Sequence, residues 1–262
     1  MTFIQIYFKA LIAIMFMMIL LWLISVLIKN VSIIDLFWGI GFIVASSCYY
    51  FYGTGNPIRK LIVLALVAIW GLRLSVYLAW RNYGKGEDFR YQKFRNTFGA
   101  NRYWWISFFQ VFLLQGILMW LISAPLLGAM YFENSNNPGI VDFLAILIWI
   151  IGFIFEAGGD YQLSQFKSYP GNKGKLLNTG LWHYTRHPNY FGDSAVWWSF
   201  GIFSLAGYSY IPILASLLMT VIIIKVSGVA LLEKSLKEQK PGYKDYVEAT
   251  SAFLPWFPIK LK

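Results

Sequence analysis

The sequence predicts an all-α, polytopic membrane protein folded as a seven-transmembrane-helix bundle. First, 58% of the 262 residues are hydrophobic and only 13% are charged, about half the charged fraction of an average soluble domain. Second, apolar runs long enough to cross a bilayer recur along the chain. Third, these runs are nearly continuous rather than alternating, which favours helices over the strands of a barrel.

Seven spans are predicted, and the breakers between them support the boundaries. The third span follows Pro57, and the fifth follows the turn that contains Pro138 and Gly139. The first run is long and lacks a small-residue cleavage site, so we expect a retained span and not a signal peptide. No internal repeat occurs, which favours one domain over residues 1–262. The spans are roughly 3–28, 32–52, 59–80, 104–130, 139–158, 188–206 and 209–232.

The positive charges predict the orientation. Lys and Arg are concentrated in loops 81–102 and 159–187 and in the C-terminal tail, whereas loops 131–138 and 206–209 carry none. By the positive-inside rule, the N-terminus is outside and the C-terminus is cytoplasmic. The net charge of +10 is then explained by this bias and by anionic lipid head groups rather than by nucleic acid. The compact chain favours a multi-pass protein of a bacterial inner membrane.

A group of charged side chains lies inside the predicted spans in the cytoplasmic half, whereas Arg59 and Lys60, at the outer end of the third span, are exceptions to the charge rule. Asp35 and Arg73 belong to the second and third spans, and Asp160, Asp193 and Lys225 lie at or near the cytoplasmic ends of later spans. A charge at the centre of a membrane helix costs about 2.5–3.5 kcal/mol on insertion scales. We therefore predict a polar cavity that opens to the cytoplasm and holds a ligand. The alternative is that Arg73 and Asp35 pair only to neutralise each other between helices.

The first polar motif extends from Trp70 to Arg95. Arg73, Tyr77 and Arg81 are spaced to share one helical face, and arginines bind phosphate in a bidentate manner. The alternative is a solvated basic loop that contacts head groups. No Walker or Gly-x-Gly-x-x-Gly motif is present, so any nucleotide must be held by side chains on another kind of scaffold.

The second and third motifs extend over residues 156–167 and 180–193. Asp160 follows a Gly-Gly pair and could accept hydrogen bonds from ribose hydroxyls. Pro188 predicts the first turn of a helix, whose free amides and Asn189 favour an anion. Both histidines lie in the third motif, but the helix start at Pro188 argues against a metal site, because His183 and His187 then do not share a face of that helix. The alternatives are a charge network at a helix end and anchoring at the membrane interface.

These motifs together resemble the bacterial and plant branch of the steroid 5-alpha-reductase family, long classed as a domain of unknown function. The resemblance covers about residues 30–258. It is carried by Trp70-Gly71-Leu72-Arg73-Leu74, Gly86-Glu87-Asp88 with Arg90-Tyr91, Asp160 with Gln162, Phe166-Lys167, Gly180-Leu181-Trp182, and Arg186-His187-Pro188-Asn189-Tyr190-Phe191-Gly192.

The resemblance implies a cytoplasmic-side cofactor cavity for NADPH and hydride transfer to an activated C=C bond of a lipophilic enone, steroid- or isoprenoid-like, that enters from the bilayer. Tyr77 is our candidate catalytic donor to the substrate carbonyl, with Asp35 orienting it. No metal and no nucleic acid are expected, and the sequence gives no oligomeric state. The predicted cofactor-binding residues are Arg73, Arg81, Asp88, Arg90, Tyr91, Asp160, Lys167, Tyr184, Arg186, His187, Asn189, Tyr190 and Asp193.

Two other functions stay open from the sequence. Isoprenylcysteine carboxyl and phospholipid methyltransferases share a similar Arg-His-Pro-x-Tyr-x-Gly stretch followed by a late acid, for which Glu233 would serve. That reading makes the protein an S-adenosylmethionine-dependent membrane methyltransferase. The phosphate-binding character of the loop at 81–91 argues against it. A third possibility is a lipid or sterol binder without enzymatic activity, which would have no affinity for nucleotides.

Overall fold

The computed structural model describes residues 1–133, 137–227 and 242–259. The regular structure of these residues is helical, and they include no β-strand. The chain forms two compact units. The first comprises Met1–Gly139 and Phe203–Pro212, and the second comprises Ile140–Ile202 and the described part of Ile213–Lys262.

The first unit consists of helices joined by short connections. A π-helical turn, Phe108–Leu113, joins two of them within one continuous helical path. The α-helices are α1 (Phe3–Ile28), α2 (Ile33–Leu36), α3 (Trp38–Tyr52), α4 (Pro57–Asn82), α5 (Phe89–Phe98), α6 (Ala100–Ser107), α7 (Leu114–Ile122) and α8 (Ala124–Tyr131).

Two long helices of the first unit begin at residues suited to cap them. Thr2 and Gln5 form a capping box at the start of α1, in which each side chain accepts from the backbone N–H of the other. Asn56 accepts from two backbone amides of α4, and Pro57 occupies the first helical position. The breaker at Pro57 thus starts the third predicted span at the expected place.

Two glycines allow α3 and α4 to approach closely. Gly39 and Gly71 face each other, and a Cβ atom on Gly39 would overlap the carbonyl of Gly71. Small residues at such crossings let membrane helices pack backbone against backbone. The short helix α2, which carries Asp35, consequently packs beside α4.

The second unit is organised around one long helix. Its helices are α9 (Ile140–Ser168), α10 (Leu181–Tyr184), α11 (Pro188–Ala206), α12 (Ile213–Val221) and α13 (Tyr243–Ala249), and a π-helical turn (Ile222–Ser227) follows α12. A Cβ atom on Gly192 of α11 would overlap the backbone of Glu156 of α9, so α9 and α11 also cross at a glycine.

Four helical segments among the described residues are long and apolar enough to cross a membrane. They are α1, α4, the continuous segment Ala100–Tyr131 and α9. Large apolar side chains such as Phe16, which is 64% exposed, cover their outer faces, where lipid tails would contact them. The prediction of a helical membrane protein is therefore confirmed, and these segments correspond to the first, third, fourth and fifth predicted spans.

The other three predicted spans are shorter or interrupted. The second is divided at Phe37 between α2 and the 15-residue α3, and the sixth corresponds to the 19-residue α11. The seventh begins with the apolar helix Ile213–Lys225, and its predicted end at 232 lies outside the described residues. The number of seven spans therefore stays a prediction.

Candidate functional site

A carboxylate, a phenol and a guanidinium meet in the first unit, between α2 and α5. The Tyr91 hydroxyl donates to Asp35 Oδ1 at 2.7 Å, and Arg90 Nη2 donates to Asp35 Oδ2 at 2.8 Å. Gln115 of α7 donates from Nε2 to the Tyr91 hydroxyl oxygen at 3.3 Å. The two oxygens of Asp35 thus have different partners, a neutral phenol and a cation. We call Asp35, Arg90, Tyr91 and Gln115 the Asp35 cluster.

Asp88 positions two members of this cluster. Its Oδ1 atom accepts from both the backbone N–H and the Nε atom of Arg90, each at 2.9 Å, and so caps α5. The backbone N–H of Asp88 donates to Ser32 Oγ at 3.0 Å, which attaches the start of α5 to the connection before α2. A helix N-cap contributes about 1 kcal/mol. Asp88, a predicted cofactor ligand, therefore has a clear structural role.

Glu87 attaches the same loop at a second point. Its carboxylate accepts from the Val31 backbone N–H at 2.8 Å, and Arg95 donates to both carboxylate oxygens at 2.8 and 2.9 Å. Bidentate pairs of this kind are geometrically specific. The basic stretch that follows α4 is consequently a folded helix held on the α1–α2 connection, and not only a solvated loop.

The environment keeps Tyr91 neutral. Burial, and then the negative charge and hydrogen bond of Asp35, raise the pKa of the Tyr91 phenol. Burial opposes ionisation of Asp88 as well, but its hydrogen bonds with Arg90 and the positive charge of that residue lower the pKa of Asp88 overall. At neutral pH the site therefore presents a protonated phenol beside an ionised cap.

Arg73, Tyr77 and Arg81 share one face of α4, as their spacing predicted. The guanidinium carbons of the two arginines lie 5.4 and 5.8 Å from the centroid of the Tyr77 ring, within cation–π distance. The phenol that donates to Asp35 is that of Tyr91, because α5 folds back beside α2. The sequence had paired Asp35 with Tyr77.

The second unit contains a polar cluster of its own where α9 passes the start of α11. Asn189 Nδ2 donates to Asp160 Oδ1 at 3.1 Å, and Asp160 is buried. Gly159 permits the approach, since a Cβ atom there would lie 3.1 Å from both Asn189 N and Pro188 Cγ. Pro188 begins α11, as the His-Pro step predicted. We call Asp160 and Asn189 the Asp160 cluster.

Two further contacts attach the third motif to α9. The backbone N–H of Leu181 donates to Gln162 Oε1 at 3.0 Å, and Trp182 Nε1 donates to the Gly159 carbonyl at 3.1 Å. Gln162 also packs against Gly180, whose φ of +62° suits glycine. The second and third motifs, which are separate in sequence, thus form one structural feature.

The C-terminal segment holds this feature from another side. Arg186, which is 7% exposed, donates from Nη1 to the Val247 carbonyl at 3.0 Å and to the Thr250 carbonyl. Its backbone N–H donates to the Ser251 carbonyl at 2.9 Å. Thr185 Oγ1 donates to the Phe253 carbonyl at 2.9 Å. Arg186, predicted to bind the cofactor, therefore also holds the C-terminal segment in place, a role that the sequence did not indicate.

The remaining predicted site residues of the second unit are distributed around this feature. The buried His187 ring stacks on the Tyr190 ring, with 5.5 Å between centroids. The exposed Tyr184 ring packs at nearly a right angle to the Phe257 ring, with 5.8 Å between their centroids. Lys167 is exposed in the last turn of α9, and Asp193 is partly buried in α11. Glu233 lies outside the described residues, and no group of metal-binding side chains occurs among the described ones.

Comparison with known proteins places the chain in a family. A family described as a protein of unknown function, DUF1295, matches residues 21–250. The chain belongs to the DUF1295 family. It is 28% identical over 259 residues to the uncharacterized protein C594.04c of Schizosaccharomyces pombe, a match that covers 90% of this chain and 75% of the relative. No solved structure matches. Both clusters lie within the part that defines family membership.

Sequence reasoning missed the contacts made by two glutamines. Gln115 bonds to Tyr91 and Gln162 bonds to the backbone of α10. The sequence signal for these contacts was an amide side chain in an otherwise apolar or helical stretch. Such an amide is expected to have a hydrogen-bond partner, because burying it without one costs several kcal/mol in an apolar environment.

Proposed function

We propose that this protein is an NADPH-dependent membrane reductase that transfers a hydride to the activated C=C bond of a lipophilic, steroid- or isoprenoid-like enone. The observation that carries the proposal is the hydrogen bond from the Tyr91 hydroxyl to Asp35, whose other oxygen is held by Arg90. A neutral phenol fixed by a carboxylate is a suitable donor to a carbonyl oxygen.

In the proposed reaction, Tyr91 donates a hydrogen bond to the carbonyl oxygen of the enone. NADPH, when bound, would supply the hydride for the β-carbon of the substrate, and the protein would lower the barrier by electrostatic stabilisation. Negative charge develops on the substrate oxygen, where Tyr91 stabilises it. The α-carbon then takes a proton from solvent. We assign this donor role to Tyr91 rather than to Tyr77 because Tyr91 bonds to Asp35 and lies within the Asp35 cluster.

The assignment of the cofactor is supported by the chemistry of the predicted residues and by the resemblance to the steroid 5-alpha-reductase family. Arginine side chains suit phosphates, and a carboxylate or an amide suits ribose hydroxyls or a carboxamide. The proposed cofactor residues are Arg73, Arg81, Asp88, Arg90, Tyr91, Asp160, Lys167, Tyr184, Arg186, His187, Asn189, Tyr190 and Asp193.

NADPH titration of the purified protein tests the proposal. We expect NADPH to quench the tryptophan fluorescence of wild type in a saturable manner. The dissociation constant of NADPH should rise at least about tenfold in Asn189→Ala, which corresponds to about 1.4 kcal/mol. Asn101→Ala is the matched control, since Asn101 is exposed. Tyr91→Phe should abolish conversion of the substrate in cells, so that mass spectrometry no longer detects the reduced lipid that differs from its precursor by two hydrogens. The exposed Tyr83 provides the control Tyr83→Phe.

Other outcomes would replace the proposal. Absence of saturable NADPH binding, or equal binding by Asn189→Ala and wild type, contradicts it. A thermal shift with S-adenosylmethionine and none with NADPH would favour the methyltransferase. No response to either compound would favour a lipid binder.

A further inference from the structure

A glutamine side chain lies inside a candidate membrane span beside the phenol of the Asp35 cluster. Gln115 is in the second position of α7, within the apolar segment Ala100–Tyr131. Among the described residues, the Tyr91 hydroxyl is the only hydrogen-bond partner of its side-chain amide. An amide is costly to place in an apolar environment when its hydrogen-bonding groups lack partners. An apolar side chain at position 115 would pack against the neighbouring helices equally well, so packing alone does not explain a glutamine there.

The backbone before Gln115 departs from regular α-helix. The π-helical turn Phe108–Leu113 ends two residues earlier, and such turns occur often at functional sites. One extra residue in a helix rotates everything after it by about 100°. The turn therefore determines which face of α7 carries Gln115, and the observed face is the one that contacts Tyr91.

We infer that Gln115 is a positioning residue that holds the Tyr91 oxygen while the hydroxyl turns from Asp35 to the carbonyl oxygen of a neutral lipid. A phenol has one hydrogen, and in the structure Asp35 accepts it. When that hydrogen points to a ligand, Asp35 keeps its ion pair with Arg90 at 2.8 Å, and Tyr91 keeps the bond from Gln115. The inference rests on the proposed function, because it specifies the oxygen-binding part of the same site.

The same contacts define the class of ligand. The hydrogen bond from the Gln115 N–H to the Tyr91 oxygen and the hydrogen bond from the Tyr91 O–H to the ligand oxygen run in one direction. Each therefore polarises and strengthens the other. The ligand must therefore present an acceptor oxygen. Because Asp35 and Arg90 already neutralise each other, the site holds no spare cation for a carboxylate, and a ketone or an aldehyde fits better than a fatty acid.

A double-mutant cycle on ligand affinity tests this role. The probes are cholest-4-en-3-one and farnesal, compared with the hydrocarbons cholest-4-ene and farnesene, with the protein in nanodiscs. We expect Gln115→Leu to weaken binding of the carbonyl probes about fivefold to tenfold and to leave the hydrocarbons unchanged. In the Tyr91→Phe background, Gln115→Leu should cause no further loss, since its effect passes through the phenol.

Gln110→Leu is the matched control, because Gln110 Oε1 is buried without a hydrogen-bond partner among the described residues. The inference is overturned if Gln115→Leu weakens carbonyl and hydrocarbon probes equally, if its effect persists in Tyr91→Phe, or if wild type does not prefer the carbonyl probes. NADPH affinity is measured in the same samples. If Gln115 and Tyr91 show no coupling while wild type binds NADPH, only the role of Gln115 is refuted. If wild type does not bind NADPH, the proposed function is refuted.

Discussion

Arg186 connects the His-Pro motif to the C-terminal segment through backbone carbonyls. Its guanidinium donates to the carbonyls of Val247 and Thr250, and its own N–H donates to Ser251. A buried guanidinium with several acceptors contributes more than a neutral hydrogen bond. A loss of activity on substitution of Arg186 would therefore not by itself identify a phosphate ligand.

We predict that Arg186→Ala lowers the free energy of unfolding by about 2–4 kcal/mol, because it leaves buried carbonyls without donors. Denaturant unfolding in detergent without any nucleotide measures the change. Arg102→Ala, at an exposed position, should change stability by less than about 0.5 kcal/mol. Equal stability of Arg186→Ala and wild type would show that the hydrogen bonds from Arg186 to the C-terminal segment do not stabilise the fold.

Helix crossings in both units depend on glycine. In the second unit, α9 and α11 meet where Gly152 and Gly192 face each other, and a Cβ atom on Gly192 would overlap backbone atoms of α9. Backbone cannot move aside as a flexible side chain can. Gly192 belongs to the motif by which the family resemblance was found, and the structure gives it a packing role.

We predict that Gly192→Ala destabilises the protein by about 1–3 kcal/mol through overpacking. The midpoint of thermal unfolding should fall, and any activity should fall with the folded fraction. Gly86→Ala is the control, since a Cβ atom there meets nothing within 4 Å. A Gly192→Ala protein of unchanged stability that loses NADPH binding would instead assign this glycine to the cofactor.

The charge distribution of the whole chain predicts how it lies in the membrane. The loop between α4 and α6 is rich in arginine and lysine, whereas the connection after α8 has none up to Gly139. Membrane insertion retains positive loops in the cytoplasm. The proposed reductase needs this orientation, because it takes its cofactor from the cytoplasm.

Cysteine labelling tests that orientation. Cys48 is the single cysteine, so a Cys48→Ser protein provides a background without thiols. We expect a membrane-impermeant maleimide applied to whole cells to label Glu133→Cys and not Gly86→Cys, and to label both after the membrane is permeabilised. Both parent residues are exposed. Labelling of Gly86→Cys alone in intact cells would reverse the proposed topology.

Local patterns were sufficient to predict much of the fold. Apolar runs located α1, α4 and α9, and Pro57 and Pro188 marked helix starts, because these signals act within a few residues. The fourth span was expected at 104–130, but its helical path starts at Ala100. Helices extend into polar sequence when side chains there find partners, and those partners are distant in the chain.

The sequence alone determined that this is a helical membrane protein with acids, bases and aromatic residues in three motifs, since composition and periodicity are properties of the chain itself. Only the tertiary structure decided that Asp35 bonds to Tyr91, that Gln115 supports this phenol and that Arg186 is held by backbone carbonyls. Those side-chain pairings join residues from 24 to 64 positions apart. They depend on how helices pack, which the order of residues within any one helix does not specify.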